Sequence, residues 1–388
     1  MEWEPKAEAL YSRIVARVPA PQRALVASSL RRGAEGRASR NHGSEVMESD
    51  VVVGMFESTP EAFHSQVRAN LGSLGIDYSA YLAAAAKSDS LTKIDLAKLL
   101  VDLKEMSVSL GVPYEEAKMR EAILAYGEHF EKSPVAMRMT TRTKTSRNLA
   151  VRYLDFLNLA KGDPLATAKA KGFVADDGHP VFALFEEAKL LCSAIGYGVD
   201  LDVSAGFSKI WLVPSVQNAT LDVLAGMENL PQGAKNTLGH FARFGLNVFG
   251  LIGFDFGRKT MNLYFMIKDP ASKSRDYGAQ LLDLGFPVDQ AEFLDACRPA
   301  QALYYTFSWA SAKTERVCFP VVCSDHSQVP MRFDPLFEIA LGNASFTGGR
   351  QTCIYSIVWS QEGNYFKVDN DYSGTMASQL IEAAEVGV

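Results

Sequence analysis

The chain has 388 residues, of which 47% are hydrophobic and 22% are charged. This composition is typical of globular proteins and excludes a disordered, collagenous or low-complexity chain, and the length predicts two or three domains. Lysine and arginine number 39 against 45 aspartates and glutamates, a net charge of −6, so neither nucleic acid nor anionic lipid is an expected partner.

Three further features bear on location and metal binding. No apolar run reaches the roughly 18 residues that a membrane span needs. The start, MEWEPKAEAL, is acidic and polar and does not resemble a secretory signal. Five cysteines, an odd number with no CxxC pair, argue against a disulfide framework and a zinc site. We therefore expect a soluble, cytoplasmic protein with reduced thiols and no bound metal.

Residues 1–92 carry helical patterns only. Leu10, Ile14 and Val18 follow helical spacing, and Pro19 ends the segment. Similar amphipathic stretches cover 22–33, 45–57, 60–73 and 77–87. The sequence predicts a small all-α domain of unknown role, which could dock a protein partner, cover the second domain or only add stability.

Residues 93–388 show a recurring pattern of helix, two strands and helix. Helical periods fit 94–110, 114–130, 180–196, 231–244, 274–284 and 375–386. Alternating strands occur in pairs: 135–144 with 149–158, 199–205 with 206–213, 246–255 with 259–267, 301–309 with 315–322, and 351–359 with 364–370. Ten strands in five hairpins predict an α+β fold in which one closed or nearly closed antiparallel sheet has helices on its outside.

Successive side chains of a strand point to opposite faces, so each strand has two readable faces. One face is apolar throughout, as with Met261, Leu263 and Phe265. The other face mixes cations with hydroxyls and aromatics: Arg258, Asn262, Tyr264, Lys209, Trp211, Tyr304, Arg316, Lys367, Asp369 and Asp371. A mixed face can simply look into water. A ten-stranded barrel, however, is wide enough to hold a ligand, and this face would suit a phosphorylated one with an apolar tail.

Five separated blocks resemble one family. DDGHPV (176–181), GFSKIWLVP (206–214), FARFGLNVFGLIGFDFGRKTMNLYF (241–265), YYTFSWASAKTERVCFPVV (304–322) and YFKVDNDYSG (365–374) resemble the soluble ABBA-type aromatic prenyltransferases, in the branch of the naphterpin and clorobiocin pathway enzymes. The resemblance runs from about residue 95 to the C-terminus. It implies a ten-stranded PT barrel that binds a prenyl diphosphate beside an aromatic acceptor, as in secondary metabolism.

The resemblance also implies the residues that hold the diphosphate. The matching positions are Lys209, Arg258, Asn262, Tyr264, Tyr304, Arg316 and Lys367. Magnesium-dependent members carry an aspartate where this chain has Arg152, and no DDxxD motif is present. The resemblance thus implies catalysis without a metal or other cofactor, with Arg152 and Arg138 as additional diphosphate contacts.

The expected chemistry is electrophilic aromatic substitution, in which the Tyr264 and Tyr304 rings and Trp211 stabilise an allylic cation. Asp369 would orient the acceptor and accept a proton, or else merely pair with Lys367. The acceptor pocket would be shaped by Gly250, Leu251, Ile354, Ser356 and Asp371. A barrel that only carries an apolar or isoprenoid ligand is the alternative function. Neither the prenyl length (dimethylallyl or geranyl) nor the acceptor follows from the sequence.

Overall fold

The structure is a computed structural model in which the chain divides into two compact units, Met1–Lys93 and Ile94–Val388. It describes residues 1–18, 23–41, 45–57, 59, 64–79, 81, 94–143, 146–155, 162–267, 272–323, 326–345, 347 and 352–374. The helix predicted over 375–386, and most of that over 77–87, lie outside the described residues.

The first unit contains the predicted helices and one short strand pair. Its elements are β1 (Glu2–Trp3), α1 (Pro5–Ala16), α2 (Arg23–Asn41), β2 (Glu45–Val46), α3 (Glu48–Glu57) and α4 (His64–Ser73). The all-α prediction is wrong in this detail, because β1 pairs with β2 in parallel. Two residues are too few for alternation to be visible in a sequence. Leu10, Leu30 and Val52 belong to a core of this unit's own.

The second unit contains a closed barrel of ten antiparallel strands, which confirms the predicted fold. The strands are β3 (Val135–Thr143), β4 (Ser146–Asp155), β5 (Gly196–Asp202), β6 (Gly206–Val213), β7 (Leu251–Asp255), β8 (Thr260–Met266), β9 (Ala302–Ser308), β10 (Arg316–Cys323), β11 (Cys353–Ser360) and β12 (Tyr365–Asp371). Each strand pairs with the next along the chain, and β12 pairs with β3 to close the ring.

Helices separate the hairpins. They are α5 (Leu96–Leu110), α6 (Glu116–Ala125), α7 (Gly127–Lys132), α8 (Pro164–Ala170), α9 (Pro180–Leu191), α10 (Leu221–Ala225), α11 (Gln232–Arg243), α12 (Tyr277–Asp283), α13 (Ala291–Cys297) and α14 (Pro335–Gly342). The single helix predicted over 114–130 is two helices, which meet at Tyr126. Four short helices, α8, α10, α13 and α14, were not predicted, because one or two turns show little periodicity.

Each barrel strand buries one face under the helices. Met261, Leu263 and Phe265 of β8 belong to a core cluster that also contains helical residues such as Phe185 and Phe241. The opposite face contributes two separate small clusters around Trp211, Tyr264, Cys318 and Tyr304. The predicted apolar face is therefore the outer wall, and the mixed face lines the barrel interior.

Candidate active site

The strand register brings the predicted site residues onto one continuous inner wall. Residues directly opposite each other in a ladder point to the same face. Arg152 lies opposite Asp200, and Asp200 lies opposite Lys209. Further round the barrel, Asn262 lies opposite Thr306, and Thr306 lies opposite Arg316. Tyr264 lies opposite Tyr304, and Lys367 lies opposite Ser356.

Three cations on the inner wall have no carboxylate partner among the described residues. Lys209, Arg316 and Lys367 form no ion pair with any carboxylate in the described part of the chain. The Nζ of Lys209 donates to Oδ1 of Asn262 at 3.0 Å, and the Asn262 amide donates to Oγ1 of Thr306 at 2.6 Å. Nζ of Lys367 lies 3.9 Å from Sγ of Cys318. These cations can therefore receive an anion from outside the chain.

Lys209 is 9% exposed, so its charged form is poorly solvated. Burial and the nearby positive charges of Arg138 and Lys367 together lower its pKa to about 7, although Asp255 and Asp200 act in the opposite direction. A bound polyanion would offset the repulsion among these cations.

Arg138 and Arg152 are already paired with acids. Nη1 of Arg138 lies 2.9 Å from Oδ2 of Asp200, and Arg152 contacts both oxygens of Asp200 at 3.5 Å. Nη1 of Arg152 also lies 2.9 Å from Oδ1 of Asp369. The alternative pairing of Asp369 with Lys367 is therefore wrong, because the strand register turns Asp369 toward Arg152 across the closing ladder.

Asp200 is the residue that the sequence reading missed. It is 1% exposed, and although burial opposes its charge, Arg138 and Arg152 hold the pKa of its carboxyl below the usual range. For Arg152 too, burial opposes the charge, but Asp200 and Asp369 raise the pKa of its guanidinium. The signal was present, since Asp200 alternates with the apolar residues Val199 and Leu201.

An aromatic surface adjoins the charged groups. The indole Nε1 of Trp211 donates to the hydroxyl of Tyr264 at 2.7 Å, and the Tyr264 and Tyr304 ring centroids lie 4.4 Å apart. The guanidinium of Arg152 lies 4.7 Å from the Trp211 ring. Burial raises the pKa of both tyrosines, so their phenols stay neutral.

Two glycines make room for the indole. Trp211 lies opposite Gly198 on one side and Gly253 on the other. A Cβ at Gly198 would lie 3.1 Å from Cε3 of Trp211, and one at Gly253 would lie 3.3 Å from its Cδ1. The side chain of Trp211 thus occupies space that the neighbouring strands leave open.

Arg258 is placed differently from its prediction. It lies in the turn between β7 and β8 and is exposed, because β8 begins only at Thr260. Its backbone N–H donates to Oδ1 of Asp255 at 2.8 Å, which fixes the turn. Its charge still contributes to lowering the pKa of Asp200, so it belongs to the rim of the same charged region.

Four of the predicted pocket residues lie at or near strand ends, whereas Ser356 lies opposite Lys367. Leu251 lies opposite Tyr264, and Ile354 lies opposite Asp369. Gly250 precedes β7, and its N–H donates to the carbonyl of Tyr264. Asp371 ends β12, where its carboxylate accepts from the hydroxyls of Thr352 and Ser373 at 3.1 Å.

The five cysteines are buried thiols. Over the ranges that the structure describes, no group of three or more His, Cys, Asp or Glu side chains is placed to hold a metal ion. Among the helices in those ranges, none is both long and apolar enough to cross a membrane.

A closed barrel whose interior sets uncompensated cations beside neutral aromatic rings is suited to transfer of a hydrocarbon group from an anionic leaving group. The model of one family, described as aromatic prenyltransferase Orf2, matches residues 94–384. The chain belongs to this family, and its enzyme class is that of the aromatic prenyltransferases.

Two relatives agree with this assignment in sequence. The 5,10-dihydrophenazine-1-carboxylate 9-dimethylallyltransferase of Streptomyces anulatus is 30% identical over 76% of this chain and 98% of its own length. The flaviolin linalyltransferase of Streptomyces virginiae is 28% identical over 74% and 95%. Among solved structures, a 6-dimethylallyl tryptophan synthase covers 71% of this chain and 95% of its own, with 13% identity and a TM-score of 0.49.

Proposed function

We propose that the barrel interior transfers a prenyl group from an allylic diphosphate to a fused-ring aromatic acceptor without a metal ion. Lys209, Asn262, Arg316 and Lys367 hold the diphosphate, and Arg258 adds charge at the rim. The observation that carries the proposal is that the cations Lys209, Arg316 and Lys367 lack carboxylate partners in the described chain while facing the same interior as Tyr264 and Tyr304.

The reaction then needs one bond cleavage and one bond formation. The C–O bond between the prenyl group and diphosphate breaks, and both electrons leave with the diphosphate, whose charge the cations stabilise. The rings of Tyr264, Tyr304 and Trp211 stabilise the allylic cation through their negative faces. Because the phenols are neutral, they are poor nucleophiles that do not capture the cation. An electron-rich acceptor atom attacks, and a proton is lost to restore aromaticity.

Asp369 occupies the acceptor side of this arrangement, where it contacts Arg152. The Asp369 carboxylate contacts Arg152 at 2.9 Å and lies opposite Ile354 in the ladder. Its second oxygen can orient a hydroxyl or N–H of the acceptor and accept the released proton. Arg138 and Arg152, being paired with Asp200, supply fixed positive charge to the diphosphate region. Gly250, Leu251, Ile354, Ser356 and Asp371 would bound the acceptor.

The charges already present support metal independence. A magnesium ion would neutralise the leaving diphosphate and would need carboxylate oxygens free to bind it. The inner-wall acids Asp200 and Asp369 are instead engaged by arginines. Fixed lysine and arginine side chains therefore take over the neutralising role.

Acceptor and donor are proposed by analogy. The two relatives are named for a dihydrophenazine carboxylate and flaviolin as acceptors, and for dimethylallyl and linalyl transfer. We infer a fused-ring, electron-rich acceptor and an allylic diphosphate, either dimethylallyl or geranyl, as donor.

The test is calorimetric binding of dimethylallyl and geranyl diphosphates, first with EDTA and then with Mg²⁺. We expect binding in EDTA, followed by turnover with a fused-ring acceptor. Binding only with Mg²⁺ would contradict metal independence, and binding without turnover across an acceptor screen would favour a carrier. Lys367→Ala and Arg316→Ala should each abolish turnover, whereas Lys313→Ala, which removes an exposed cation three residues before Arg316 in the sequence, should not.

A further inference from the structure

The carboxylate of Asp200 sits among four positive charges. It contacts Arg138 and Arg152 directly and lies opposite Lys209 in the ladder. The charges of Lys209 and Arg258 also act on it. A buried carboxylate usually raises the free energy of the folded state unless cations compensate it, and here the compensation comes from groups of the anion site itself.

We propose that Asp200 is a positioning residue, which holds the guanidinium groups of Arg138 and Arg152 against the barrel wall in the geometry that the diphosphate and the aromatic surface require. The inference rests on the proposed function, since it concerns the same site. The carboxylate of Asp200 does not itself bind the diphosphate, because the two negative charges repel each other.

The group that Asp200 positions most extensively is the guanidinium of Arg152. Its guanidinium spans three strands, from Asp369 on β12 past Asp200 on β5 to the ring of Trp211 on β6. Arg138 approaches Asp200 from β3, which lies on the far side of β4 from β5. If Asp200 is removed, three cations that lie close together in a buried region repel one another: Arg138, Arg152 and Lys209.

The direction in which anion affinity changes when Asp200 is replaced distinguishes a positioning role from an effect of net charge. Removing a negative charge near an anion site should strengthen anion binding if only net charge matters. If Asp200 positions the arginines, its removal should weaken binding instead, because the arginines move apart. The two explanations therefore predict opposite results for one variant.

Asp255 supplies a matched control. Lys209 lies between Asp200 and Asp255 in the ladder, so both acids face the same lysine. Asp255 forms no ion pair with a described cation, whereas Asp200 holds two arginines. An effect that acts through Lys209 should appear on replacing either acid. An effect that acts through the arginines should appear only on replacing Asp200.

The experiment measures binding of inorganic pyrophosphate and dimethylallyl diphosphate to the full chain by calorimetry. We expect Asp200→Asn to weaken binding at least about tenfold. Asp255→Asn should bind no more weakly than the unmodified chain. Asp200→Glu, which keeps the charge but displaces it by one methylene, should also weaken binding. This second variant tests the inference even if Asp200→Asn does not fold, as judged by its thermal unfolding.

A double-mutant cycle gives a readout that a merely structural role would not move. In an Arg138→Met background, Asp200→Asn should weaken binding less than it does alone, because one of its two arginine targets is gone. Equal or tighter binding by Asp200→Asn and Asp200→Glu overturns the inference and leaves the proposed function intact. If the unmodified chain binds neither probe, the proposed function itself fails.

Discussion

Lys209 couples the protonation of the site to ligand binding. Burial gives its ammonium a pKa of about 7 against a usual 10.5, so the free protein loses this charge as the pH rises above 7. A bound diphosphate favours the charged form and raises the pKa again. Binding between pH 7 and 9 should therefore take up a proton and weaken with rising pH.

Calorimetry in two buffers of different ionisation enthalpy measures this proton uptake. Lys209→Arg is the control, because arginine stays charged over this range and should bind with a flatter pH dependence. A diphosphate affinity of the unmodified chain that does not change from pH 7 to 9, with no proton uptake, would contradict the assignment of Lys209.

At the level of single residues, strand alternation predicted which side chains share the inner face but not how they pair. Lys209, Asn262, Tyr264 and Tyr304 are brought together by the register, and their positions could be expected from period-two patterns. The pairing of Arg152 with Asp369 could not, because it depends on which strands are neighbours and how their ladders are offset. Alternation does place Asp200 on the inner face, but its pairing with Arg138 and Arg152 depends on the strand order in the same way.

At the level of elements, the glycine at position 198 of β5 is constrained chiefly by the neighbouring strand β4. A Cβ at Gly198 would lie 2.6 Å from Cδ2 of Leu154 and 2.8 Å from the backbone oxygen of Tyr153. The backbone cannot move aside cheaply, so Gly198→Ala should lower the free energy of unfolding by about 1–3 kcal/mol.

Urea unfolding measures that change, and Gly250→Ala is its matched control. A Cβ at Gly250 would meet its nearest atoms at 3.6 and 3.8 Å, which is ordinary contact. If both variants unfold at the same urea concentration as the unmodified chain, the packing between β4 and β5 tolerates a Cβ at Gly198 and the expectation is wrong.

The elements that the sequence predicted well are those with long periodic patterns. The ten strands and the long helices α5, α9 and α11 show several repeats of their period. The short helices α8 and α10 do not, and the break at Tyr126 falls within an otherwise continuous apolar pattern. Arg258 was predicted to share the mixed face because alternation continues one residue before the strand, but it lies in the turn, where its N–H donates to Asp255.

At the level of the whole molecule, each unit has its own hydrophobic core. The family match begins at residue 94, where the second unit begins. We expect a chain that starts at Ile94 to fold with a single cooperative transition and to bind dimethylallyl diphosphate as tightly as the full chain does.

Thermal unfolding and calorimetry of that shortened chain check the expectation, with the full chain measured in parallel. Failure to fold, or a loss of binding, would show that residues 1–93 contribute to the barrel or its site. Whether the first unit docks a protein partner stays a prediction that this measurement does not address.

Closure of the barrel between its first and last strands has a consequence for how the protein is made. In the closing ladder Asp369 lies opposite Arg138, and Arg152 reaches Asp369 across it. The ribosome finishes β12 last, so until then β3 keeps an unpaired edge and the arginines lack one of their acids. A nascent chain therefore acquires its charged site and loses its exposed edges in one late event.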